Sequence, residues 1–217
     1  MNFVAHLAVA TWYSPLPATW LGAMLPDFAG MLRARPPQSS DPAVSRGIAL
    51  HHQTDSVFHA DPIFHMLNSD ALSELSRLGM ARGPARAVAH IGTEIVLDGV
   101  VADDPALTRA FAQALDHARL NERQLQLAWP SSLELGRLSK LCDALKRRDI
   151  RADSQQAKIV ALRLERTLAH RPRLRIPPHQ LPLVSAWVER VTPQVRASAP
   201  ALLESVRVSL PAPAAPT

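Results

Sequence analysis

The chain has 217 residues, of which 47 % are hydrophobic and 20 % charged, with a formal charge of +5. That length carries one domain with a full core, and that hydrophobic share excludes a disordered chain. The lone cysteine, Cys142, excludes a disulfide framework and an all-cysteine zinc site, and points to a reducing, cytoplasmic compartment.

The first segment, Met1-Asn-Phe-Val-Ala-His-Leu-Ala-Val-Ala10, reads as a short helix around His6. It lacks the basic start of a signal peptide, and Pro15 and Pro17 break its apolar run. No uncharged apolar window is long enough for a membrane span, so no membrane partner is expected. Leu16 to Leu32 is apolar, and Pro26 predicts a kink or a split just before Asp27. Asp41-Pro42 is a helix start, Asp as N-cap and Pro as first residue, for a helix to about His59. Asp61-Pro62 repeats that signal, and Ser69 or Asp70 marks a further short helix through Arg77, closed by Gly79. Gly83-Pro84 opens a helix carrying His90, Glu94 and Asp98 among Ala87, Val88, Ile91, Ile95 and Val96.

Asp104-Pro105 is the third such start, for an amphipathic helix to about Leu120. Ser131 or Ser132 begins another, with Leu138, Leu141, Cys142 and Leu145 on its apolar face. Asp153 or Ser154 caps a helix through Leu168, and a last one runs from near Gln180 to Leu210 with bends at Pro193 and Pro200. No hairpin signal and no repeat appears. The expectation is an all-α, single-domain helical bundle over residues 1–210, with the Pro-rich tail 211–217 disordered by composition. Charge is uneven: twelve Lys or Arg lie between Arg137 and Arg175 against Asp143, Asp149, Asp153 and Glu165. Such a stretch suits an acidic partner or is a solvated helix surface. Nucleic acid is disfavoured because base-stacking aromatics are scarce there.

Two stretches carry chemistry. His51, Asp55 and His59 stand at i, i+4 and i+8, as do His90, Glu94 and Asp98. At about 100° per residue, each trio falls on one helix face. Two such faces suit a metal held between helices, and mixed imidazole and carboxylate donors favour Mn or Fe, with Mg and Zn as alternatives. The other reading of the same residues is a His–carboxylate hydrogen-bond network without a metal. No nucleophile elbow, phosphate-binding loop or zinc-finger spacing occurs.

Three segments, Met1-Asn-Phe-Val-Ala-His6-Leu-Ala, Leu21-Gly-Ala-Met-Leu-Pro-Asp27-Phe and Gly47-Ile-Ala-Leu-His51-His-Gln-Thr-Asp55, resemble in order and spacing the acyl carrier protein phosphodiesterase family. Glu94-Ile-Val-Leu-Asp98-Gly99 and His170-Arg-Pro-Arg-Leu174 are similar to its later segments. The resemblance implies an all-α scaffold related to the HD-type metal-dependent phosphohydrolases. It also implies Mn²⁺-dependent hydrolysis of the phosphodiester joining 4′-phosphopantetheine to a serine of the acidic acyl carrier protein. Carried over residue by residue, it implicates His6, Asp27, His51, Asp55 and Asp98. Together with the spacing, this gives His6, Asp27, His51, Asp55, His90 and Asp98 as candidate metal ligands, and Asp55, His59 and Glu94 as candidate catalytic groups.

The chain departs from the family pattern at three places. His52 replaces an Arg after the His, Phe58-His59-Ala-Asp61-Pro62 replaces Thr-Asp-x-x-Pro, and Asp98-Gly99 replaces an Asp-His pair. A gain of activity in a Gly99→His variant would mark the chain as a degenerate member. Two further readings stand beside carrier-protein hydrolysis: hydrolysis of another phosphoester on the same scaffold, and a non-catalytic helical binding protein.

Overall fold

The computed structural model describes residues 1–122, 124–130 and 133–211. Among them, ten α-helices form nearly all the regular structure: α1 (Phe3–Tyr13), α2 (Pro17–Met31), α3 (Pro42–Ala60), α4 (Pro62–Arg77), α5 (Arg82–Val101), α6 (Pro105–Asn121), α7 (Arg137–Lys146), α8 (Ile150–Gln155), α9 (Ala157–Leu168) and α10 (Leu181–Ser209). The class is all-α, as the composition and periodicity predict. Two strands of two residues, β1 (Gln38–Ser39) and β2 (Leu127–Ala128), pair antiparallel with Gln38 opposite Ala128. Strands this short carry no readable period, so the sequence gives no sign of them.

All three Asp-Pro signals start helices. Asp41 Oδ1 accepts from the amides of Ala43 (2.8 Å) and Val44 (3.0 Å), Asp61 Oδ1 from Ile63 (2.7 Å) and Asp104 Oδ1 from Ala106 (2.8 Å). Elsewhere boundaries moved. The helix expected to start at Ser69 or Asp70 is the second half of α4. Pro26 lies inside α2 and does not split it. A proline inside a helix loses one backbone hydrogen bond and crowds the carbonyl four residues back, together about 3 kcal/mol, and burial of Leu21, Met24, Leu25 and Phe28 offsets that. Pro193 and Pro200 are likewise inside α10. The start expected at Asp153 or Ser154 divides into α8 and α9. The start expected at Ser131 or Ser132 falls outside the described residues, and α7 begins later, after Gly136 in the left-handed region (φ 86°). Of the tail expected to be disordered, residues 212–217 also lie outside them.

The chain divides into two compact units, each with its own candidate site. One comprises Met1–Val57, Val101–Asp149 and the chain from Val206; the other comprises Phe58–Val100 and Ile150–Ser205.

In the first unit, α1 is apolar on every side and buried from Phe3 to Ala10, the pattern of a central core helix. It packs on α2 and α6. Phe3 stands 5.8 Å from both Phe28 and Phe111, ring centre to ring centre. Helices α2 and α3 touch backbone to backbone at Gly22 and Gly47: a Cβ on Gly47 would lie 2.7 Å from both Ala23 N and Gly22 Cα. Only glycine permits that approach, and it places His51 of α3 against the last turns of α2.

In the second unit, Trp187 of α10 is fully buried and covers Gly92 of α5, where a Cβ would lie 2.6 Å from its ring. His90 and Glu94 are each two residues from Gly92, so they fall on the opposite side of α5. Asp61 joins two elements, capping α4 with Oδ1 while Oδ2 accepts from Ser205 of α10.

Candidate functional site

Three helices of the first unit bring His6 (α1), Asp27 (α2), His51 and Asp55 (α3) together. One donor atom each from His6, Asp27 and His51 lies within 4.8 Å of the others. Asp55 Oδ1 is 3.1 Å from His6 Nε2, and Asp55 Oδ2 is 3.4 Å from His51 Nε2. The two imidazoles stack with centres 3.8 Å apart. The Met1 α-ammonium donates to Asp55 Oδ1 at 2.6 Å.

His51 Nδ1 lies 2.8 Å from the Ala23 carbonyl. A carbonyl only accepts, so Nδ1 carries the proton, and Nε2 is left facing Asp55 Oδ2. This is the tautomer in which a backbone carbonyl orients a metal-ligating histidine. His6 Nδ1 is buried without a hydrogen-bond partner. Burial, together with the neighbouring His51, lowers the His6 pKa to about 3 against the pull of Asp55, which keeps the ring neutral. For Asp55, burial works against ionisation. The contacts from His51 and His6 and the Met1 ammonium outweigh it and hold the carboxyl far below the usual range. Imidazole nitrogens and carboxylate oxygens from three helices thus converge on one place, a donor set that suits a divalent cation. Access is through Asp55, whose side chain is 31 % exposed while His6 is sealed.

The second unit holds a separate group. Glu94 Oε1 lies 3.0 Å from His59 Nε2 and 3.3 Å from His90 Nε2. The two imidazoles are nearly parallel, with centres 5.0 Å apart and 18° between planes. Buried Phe64 meets both rings edge-on at 5.4 and 5.3 Å and fixes their orientation. Burial again opposes ionisation of Glu94, but contacts from His59 and His90 keep its carboxyl well below the usual range.

The residues read from the sequence as one site therefore form two groups. His51 and Asp55 meet His6 and Asp27, whereas His59 meets His90 and Glu94. Asp98 belongs to neither trio and is fully buried in α5. Helical spacing links each His to a carboxylate four residues on, but not the partners that α1, α2 and the end of α3 bring in. The motif order in the sequence had already set His6 and Asp27 beside His51 and Asp55; the Gly22–Gly47 contact that brings their helices together is visible only in the structure.

Gly99 is also explained by packing. A Cβ there would run into the Ser154 side chain, with Oγ at 3.2 Å. A histidine at 99 would displace α8, so the Gly99→His variant tests folding before it tests activity. Cys142 is core, as expected, and burial beside Glu122 and Asp143 pushes its thiol up to about 12. A groove of about 450 Å³ by Arg119, Glu122, Leu135 and Ser139 contains none of these candidate residues. Among the described residues, no helix is long and apolar enough to cross a membrane. No protein-family model, no curated protein and no solved structure matches this chain.

Proposed function

We propose that the chain is a metal-dependent phosphoester hydrolase in which His6, Asp27, His51 and Asp55 hold a divalent cation, Mn²⁺ first among the candidates. The observation that carries this reading is the His51 geometry: Nδ1 is committed to the Ala23 carbonyl, Nε2 faces Asp55 Oδ2, and a donor atom each from His6 and Asp27 lies within 4.8 Å. When bound, the cation supplies Lewis acidity for charge growing on a phosphoryl oxygen. The chain's own residues supply the rest. Burial keeps His6 neutral, so its lone pair remains available. The Gly22–Gly47 approach fixes His51 relative to Asp27. Asp55, ionised and at the solvent margin, is placed to accept a hydrogen bond from an attacking water and orient it.

For the substrate we favour the phosphodiester between 4′-phosphopantetheine and the serine of acyl carrier protein. The motif order around His6, Asp27, His51 and Asp55 supports it. A second reading, a smaller phosphoester, is favoured by one observation. Part of the basic stretch is used internally, because Lys146 pairs with Asp116 at 2.6 Å and Arg137 donates to the Leu32 carbonyl at 3.1 Å. The Lys146 charge is thereby matched by a neighbouring carboxylate and the Arg137 guanidinium is spent on a backbone carbonyl, which weakens both as contacts for an acidic carrier.

The test is elemental analysis of the purified chain beside its His51→Ala/Asp55→Ala variant, followed by assays with Mn²⁺ on holo-acyl carrier protein and on bis(p-nitrophenyl) phosphate. Near-stoichiometric Mn, Fe or Zn that falls in the variant is expected, with hydrolysis at least a hundredfold slower. Activity on the small ester alone would select the second reading. Metal content and hydrolysis unchanged in the variant would overturn both.

A further inference from the structure

We infer that His59, His90 and Glu94 form a second metal site, of zinc type, built in the second unit and loading independently of the first. The three side chains come from the last turns of α3 and from the middle of α5, and their donor atoms lie within 4.8 Å of one another. Two imidazole nitrogens and one carboxylate oxygen are the ligand set of open zinc sites, which leave a fourth position to solvent. The spacing suits that ion. Bonds of about 2.0–2.1 Å in a tetrahedron separate ligand atoms by roughly 3.3 Å. Here Glu94 Oε1 stands 3.0 and 3.3 Å from the two Nε2 atoms.

Exposure matches an open fourth position. The His59 and His90 side chains are 35 and 39 % exposed, whereas Glu94 behind them is 11 % exposed. An ion bound there has protein on one side and water on the other. The imidazoles are also held before any ion arrives. Phe64 packs edge-on against both, and the opposite side of α5 is fixed by Trp187 on Gly92. Binding thus orders little side-chain freedom, which lowers its cost. The donor set differs from that of the first group, which has two carboxylates and sealed imidazoles. The second group accordingly takes Zn²⁺ or Co²⁺ in preference to Mn²⁺.

The experiment uses the full chain stripped of metal, titrated with Zn²⁺ by calorimetry and with Co²⁺ by visible absorption. Three variants are run beside the wild type: His59→Asn/His90→Asn, Glu94→Gln and Asp55→Asn, each checked for native helicity by circular dichroism. The inference predicts one Zn²⁺ equivalent and tetrahedral-type Co²⁺ bands that persist in Asp55→Asn. Zn²⁺ affinity at that equivalent should fall at least tenfold in His59→Asn/His90→Asn or in Glu94→Gln. The two half-exposed histidines keep the test usable if the buried Glu94→Gln chain does not fold. Equal Zn²⁺ stoichiometry and Co²⁺ spectra in wild type and His59→Asn/His90→Asn would overturn the inference. If Asp55→Asn also abolished binding in that case, the hydrolase reading would survive alone. Zn²⁺ binding lost only in the His59 and His90 variants, with no Mn²⁺ bound by any form, would leave this site standing and remove the first.

Discussion

The two histidine groups start from the same local pattern, a His four residues before a carboxylate, and end in opposite environments. In the first unit, His51 and Asp55 are joined by His6 and Asp27 from two other helices, and the imidazoles are sealed. In the second, His90 and Glu94 are joined by His59, and the imidazoles stand at the surface while the carboxylate is buried. The helical spacing sets which side chains share a face. What crosses that face sets burial and the number of polar partners. One sequence pattern thus yields a closed, carboxylate-rich cage in one place and an open, imidazole-rich clasp in the other.

The strongest way to break this contrast is at the helix crossing that closes the first group. Gly47→Ala drives a methyl into the Thr19 carbonyl oxygen of α2 and to 2.7 Å from Ala23 N. Forcing the helices apart is expected to cost about 2–4 kcal/mol, near the upper end for an overpacked core. Urea denaturation measures it, and Mn²⁺ affinity should fall with it because His51 leaves the Ala23 carbonyl. A loss below about 0.5 kcal/mol would show that the close approach is not maintained in solution.

Acidification sharpens the contrast next. His6 is held neutral with its pKa lowered from 6.5 to about 3. The unfolded chain therefore binds a proton that the native chain refuses, and its stabilising share is present above pH 6.5 and lost as pH falls toward 3. Asp55 and Glu94, both held below their usual range, add losses at the acid end by the same sign. For metal-free protein, stability should fall between pH 6.5 and 4, and a folded His6→Gln variant should show a flatter dependence there. A parallel profile in that variant would mean that His6 is not the buried neutral group described here.

The smallest effect lies in the open group. His90 is half-exposed, so His90→Ala should change metal-free stability by no more than about 1 kcal/mol. The Tm gain on adding Zn²⁺ should nevertheless disappear. A large intrinsic loss would mean that the imidazole carries core packing instead.

Much of this molecule was legible in the chain. The Asp-Pro starts at Asp41, Asp61 and Asp104 were readable because an N-cap carboxylate and a ring-fixed φ act within three residues. The all-α class followed from the same local rules, as did the shared faces of His51 with Asp55 and of His90 with Glu94. Where longer-range packing decided, local reading failed. Burial of one face carried α2 past Pro26, and α4 ran through the start expected at Ser69 or Asp70. Ser154 took the room at Gly99 that a histidine would have needed. The assignment of His6 and Asp27 to one group, and of His59 to another, rests on helices that lie far apart in sequence. The sequence by itself determined the helices and the polar faces they carry, because those are set by neighbours within a turn or two. Only the tertiary structure decided which faces meet, because that depends on close backbone approach and on the shape left between helices.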